Sequence, residues 1–126
     1  MNPKQFLTIG GAVLVLVAIL GYIGIIGPTM EQSIFGEAWY FDNGENVAHL
    51  VLGVVALGAA FLASAGMQKM LTMLVALVAL FFGLYGFIAG PGPANTFGLA
   101  NLENPLDNVL HLAIAAWAGY VSWMKK

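Results

Sequence analysis

Four apolar stretches, at about residues 6–27, 47–65, 70–90 and 106–123, leave little of the chain for anything else. Each runs for about 18–22 residues, and at ~1.5 Å of rise per residue a helix of that length covers a hydrocarbon core of ~30 Å. Only 8% of the 126 residues are charged, against roughly 25% in a soluble domain. The pattern predicts an all-α integral membrane protein, a four-helix bundle forming one domain over residues 1–126. The lipid bilayer is its first expected partner.

The few charges are sorted by side. All four lysines (Lys4, Lys69, Lys125, Lys126) fall before the first stretch, between the second and third, or after the fourth. All six acids (Glu31, Glu37, Asp42, Glu45, Glu103, Asp107) fall in or beside the other two connections. Excess lysine marks the cytoplasmic side, so the expected arrangement is a multi-pass protein of the cell membrane with both termini in the cytoplasm. No basic patch points to nucleic acid. The first stretch exceeds the roughly 7–15 apolar residues of a signal peptide and is expected to be retained. Absence of cysteine removes disulfides, thiolate metal sites and thiol nucleophiles.

The chain also resembles itself. Shifted by 62 positions without a gap, it gives 10 identities over the 32 positions from Gly21 to Leu52. Gly21 meets Gly83, Gly24 meets Gly86, Phe35-Gly36 meets Phe97-Gly98, Asn46 meets Asn108 and His49 meets His111. This predicts two tandem repeats of two transmembrane helices each, over about residues 5–66 and 67–126. Two spans return a unit to its starting side, so the copies are expected to be parallel rather than inverted. The two Gly-x-x-Gly pairs (Gly21, Gly24, Gly83, Gly86) are expected to let helices approach closely.

Both histidines lie in matched hexapeptides, "ENVAHL" (45–50) and "DNVLHL" (107–112). Each hexapeptide opens a span. Asp42 and Asn104 are the expected N-caps, with Glu45 and Asp107 at the third helical position where they favour the helix start. His49 and His111 follow one turn deeper on the same face, with Asn46 and Asn108 beside them. Polar groups at that depth need partners and usually face the bundle interior. Three roles are open for this polar motif. The groups fasten helices and loops by hydrogen bonds, they ligate a haem or divalent metal, or the acid–histidine pairs carry protons.

Trp39, Tyr40 and Phe41 are expected at an interfacial belt. No Lys, Arg, Asp or Glu falls in the interior of a span, which argues against voltage sensing, ion-coupled transport and charged-substrate channels. No serine has a His–acid neighbourhood, so no catalytic residue is assigned and an enzyme is not expected. The leading expectation is a non-enzymatic structural or assembly partner, with a homo-oligomer or a membrane complex as its setting and no cofactor. The alternative is a haem- or metal-binding membrane protein, an electron-transfer subunit for example, using His49 and His111. A weaker third is an apolar ligand held between the repeats beside the paired glycines.

The motifs "ENVAHLVLG" and "FG…NPLDNVLHL" resemble a bacterial domain-of-unknown-function family of small four-helix membrane proteins with paired N-x-x-H-L motifs. Asn46, His49, Leu50, Leu52 and Gly53 match in the first copy. Asn104, Pro105, Asn108, His111 and Leu112 match in the second, where Ala115 replaces the glycine. The resemblance covers about two thirds of the chain. It implies a four-helix membrane fold and supplies no activity.

Overall fold

The computed structural model describes residues 1–90 and 106–124, with side chains described to residue 123. Four helices follow one another: α1 (Pro3–Tyr22), α2 (Asn43–Leu62), α3 (Ala65–Ala89) and α4 (Leu106–Gly119), the last continued by a π-helical turn, Tyr120–Met124. No strand occurs among the described residues beyond one isolated bridge, Ile26 with Ser33. The first three helices are each long and apolar enough to cross a membrane. The fourth has 14 α-helical residues and reaches a comparable length only through its π-helical turn of 5. The expected four spans thus appear as three helices of spanning length and one composite.

Local chemistry explains the boundaries. Asn2 caps α1, accepting from Gln5 N at 2.8 Å while Gln5 Oε1 accepts from Asn2 N, and Pro3 opens the helix. Asp42 caps α2 in the same way, accepting from Glu45 N at 2.9 Å with Glu45 Oε1 reaching back to Asp42 N. Ser64 caps α3. Asp42 and Glu45 therefore hold the places expected of them, and Asn104 lies outside the described residues.

The helices pair as two antiparallel hairpins, α1 with α2 and α3 with α4. Small residues bring each pair together. At Gly11 and Gly53 the backbones of α1 and α2 approach so closely that a Cβ on Gly11 would stand 3.0 Å from Gly53 O. The turn between α2 and α3 is closed by Gln68, whose Nε2 donates to the end-of-helix carbonyls of Ala60 (3.0 Å), Ala59 (3.1 Å) and Ala63 (3.3 Å). The carbonyls at a helix C-terminus have no partner within the helix. Gln68→Leu is therefore expected to cost about 1–3 kcal/mol, read as a lower midpoint in thermal unfolding of the purified protein. Met67→Leu, at an exposed neighbour, should leave the midpoint where it is.

The hairpins meet at the end that holds the chain termini. Phe6 and Leu7 of α1, Ala60 of α2, Ala76 of α3, and Ala118 and Val121 of α4 and its π-helical turn form one buried cluster. Trp117 packs edge-on against Phe6, centroids 4.5 Å apart, and donates its indole N–H to Met1 Sδ at 3.2 Å. This end is tight because three of its six core residues are alanine. Large apolar side chains elsewhere, such as Val51, Leu62, Leu77 and Leu84, are turned outward.

The first connection folds back over the opposite, loop end. Ile34 N donates to Ile25 O at 2.8 Å and Phe41 N to Ile26 O at 2.8 Å, and Ile26 and Phe41 are buried. Gly36, at φ +62°, sits at the turn expected of the Phe35-Gly36 pair. The matching Phe97-Gly98 lies outside the described residues.

Candidate functional site: a cavity between two histidines

The asparagines establish the frame. Asn46 is fully buried against Gly21, and its Nδ2 donates to Phe41 O at 3.3 Å, tying the end of the first connection to α2. Asn108 is likewise fully buried, but its amide lies against Gly86. In both places a Cβ on the glycine would overlap the amide oxygen. The oxygen instead lies over a glycine Cα, where weak C–H···O contact is available.

This pairing corrects two expectations. Gly86 stands 65 positions after Gly21, whereas Asn108 stands 62 after Asn46. The spatial counterparts in α1 and α3 are thus three residues out of step with the ungapped alignment. The buried positions agree: Leu7, Gly11, Ala18 and Gly21 in α1 match Thr72, Ala76, Gly83 and Gly86 in α3. Gly83, which meets Leu112, corresponds to Ala18 rather than Gly21. Gly24 is not a packing residue at all. It follows the end of α1 at φ +87°, a turn conformation that excludes most side chains.

His49 and His111 line the same cavity, of about 200 Å³, at the loop end. Sequence spacing placed them on equivalent helix faces, and the structure shows them converging. His111 Nδ1 lies 2.8 Å from the backbone oxygen of Asp107, one turn back. A carbonyl only accepts, so Nδ1 carries the proton and Nε2 keeps its lone pair. Phe82 of α3 backs this ring, centroids 6.1 Å apart. His49 is held differently, edge-on against Phe41 at 5.0 Å. Its Nδ1 is buried and meets no hydrogen-bonding group among the described residues. Among the described residues the loop carbonyl is held by Asn46 rather than by either histidine, so the first Asn–His pair fastens its connection through the asparagine.

Trp39 was missed as a site residue. It reaches from the first connection to the second hairpin, and its indole N–H donates to Asp107 Oδ1 at 2.9 Å. Trp39 also stacks edge-on with Phe41, centroids 5.1 Å apart, and with it walls the cavity beside Asp107. Only the fold brings residues 68 apart in sequence together, so no local pattern marks this pair. The other described lining residues are aliphatic: Val13, Leu14 and Val17 from α1, and Leu110 and Ile114 from α4.

Among the described residues, no three His, Asp or Glu side chains come together as a metal site. The volume of about 200 Å³ also falls below the roughly 300–1,000 Å³ of pockets for drug-sized ligands.

Fold and site together define an all-helical protein of four helices with a small, mostly aliphatic cavity that two imidazoles share. No family model matches the chain, and no curated protein or solved structure is significantly similar to it.

Proposed function

We propose that the chain is a non-enzymatic, multi-pass protein of the cell membrane that acts as a structural or assembly partner. In this reading it is built from two duplicated, parallel hairpins with both termini in the cytoplasm. The observation that carries the reading is the division of polar and apolar groups. Buried polar side chains serve the fold: Asn46 holds Phe41 O, Gln68 holds the end of α2, and the hydroxyls of Thr72 and Ser122 return to carbonyls one turn back in their own helices. Large apolar side chains face outward on all four helices, including Leu16, Val54, Leu77 and Val109. Such a surface is stable in lipid or against other membrane helices. The duplication is supported by the two Asn–Gly contacts, which require the second connection to be three residues shorter than the first.

The absence of cysteine makes the test direct. Glu37→Cys, in the first connection, should react with a membrane-impermeant maleimide from outside the cell. Gly66→Cys, in the first turn of α3, should react only after permeabilisation. Labelling of both from one side would overturn the topology. For assembly, native mass spectrometry from nanodiscs should give a stoichiometry above one or a defined membrane partner. A persistent monomer across lipid compositions would sink that role.

Convergence of His49 and His111 on one cavity favours a second reading, binding of a divalent metal with water completing the ligand shell. Metal analysis of the purified protein beside the His49→Ala/His111→Ala variant decides it. Near-stoichiometric zinc, iron or copper lost in the variant would establish metal binding.

A further inference from the structure

The hydrogen-bonding groups at the polar end of the cavity form a specific set. His111 Nδ1 gives its proton to Asp107 O, so the ring offers Nε2 as an acceptor. His49 Nδ1 is buried without a partner among the described residues. An orphaned N–H is the rarer and costlier arrangement, so the proton of a neutral His49 belongs on Nε2 and that atom is a donor. The Asp107 carboxylate is engaged by Trp39. Among the described residues no lysine or arginine lines the cavity, and the nearby carboxylate repels anions. One neutral donor and one neutral acceptor remain, and a hydroxyl satisfies both.

The rest of the cavity sets the body that carries the hydroxyl. Val13, Leu14, Val17, Leu110 and Ile114 provide no hydrogen bonds, so water has no partners there. An aliphatic cavity of about 150 Å³ stays dry and takes a benzene ring. At about 200 Å³, this one has room for a single substituted ring. The aromatic edge formed by Trp39, Phe41 and His49 suits such a ring as well.

We propose that the cavity binds a hydroxylated six-membered aromatic ring, its O–H donating to His111 Nε2 and accepting from His49 Nε2–H. The ring lies against the aliphatic walls from α1 and α4. A free phenol and the phenolic head of a lipid-dissolved molecule share this chemistry. The inference does not depend on the assembly role or topology proposed above, because it is tested on purified protein in detergent.

The probe is 4-bromophenol, whose heavy atom quenches indole fluorescence, compared with 4-bromoanisole and bromobenzene of similar size. Trp39 is isolated as the reporter by Trp117→Phe and Trp123→Phe, both remote from the cavity lining. 4-Bromophenol should saturate the quench and bind about tenfold more tightly than 4-bromoanisole, the effect of about one buried hydrogen bond. His111→Leu should reduce that preference to about twofold while bromobenzene binds as before. Equal binding of 4-bromophenol and 4-bromoanisole by the reporter protein overturns the proposal even if the histidine variant fails to fold. So does quenching that never saturates. Displacement of bound 4-bromophenol by phenol as effectively as by 4-hexylphenol, after correction for partition into detergent, identifies a free phenol. Stronger displacement by 4-hexylphenol identifies a chain-bearing head group.

Discussion

Gly86→Ala and Gly21→Ala are each expected to destabilise the purified protein by about 1–3 kcal/mol, the cost of forcing an extra methyl into a packed interior. The methyl would occupy the space of the Asn108 or Asn46 amide, and both asparagines are fully buried. Yielding by the asparagine adds the loss of the Asn46–Phe41 hydrogen bond in the first hairpin. Gly10→Ala and Gly58→Ala should have the opposite sign. Both glycines lie within helices with nothing within 4 Å of a Cβ, and alanine there is favoured by up to about 1 kcal/mol. Thermal unfolding of the four variants in one detergent gives the comparison. A loss at Gly10 equal to that at Gly86 would show that the Asn–Gly contacts have no special importance.

The second large effect concerns Trp39 and Asp107. A hydrogen bond to a charged group contributes about 1.5–3 kcal/mol, and this one joins the connection of the first hairpin to the first turn of α4. Trp39→Phe keeps the aromatic contact with Phe41 and removes only the donor. A double-mutant cycle with Asp107→Ala cancels the separate loss of an acid at the helix start. Unfolding free energies should show a coupling of about 1–2 kcal/mol. Strictly additive losses would mean that the indole and carboxylate do not hold the halves together.

Much of this fold is legible in the sequence because lipid-length helices announce themselves by hydropathy and capping residues by type. Asp42 with Glu45 marks the start of α2, and the four apolar stretches locate the four helices to within a few residues. The shared cavity was legible in part. Matched hexapeptides placed His49 and His111 at equivalent positions, but helix rotation, which makes them converge, depends on packing between helices, including the cluster of Phe6, Ala76 and Ala118, that no local pattern encodes. The three-residue offset between α1 and α3 was hidden because both helices carry glycines three apart, so the ungapped match looked complete. Burial separates the alternatives: Ala18 and Gly83 are enclosed, while Gly24 has left the helix. Trp39 escaped notice because aromatic residues near a span end have a common interfacial explanation, and its partner is 68 residues away.

The Trp39–Asp107 contact also bears on how such a chain can change over time. The position equivalent to Trp39 in the second half of the sequence is Asn101, and Glu45, the counterpart of Asp107, is committed to the cap of its own helix. On the proposed duplication, the halves have exchanged self-sufficiency for complementarity, one keeping the indole and the other the carboxylate that accepts its hydrogen bond. Two copies of either half would lack one member of the clasp. On that reading a half-length gene is not regained by deletion alone, and the matched histidines keep a symmetry that the Trp39–Asp107 contact breaks.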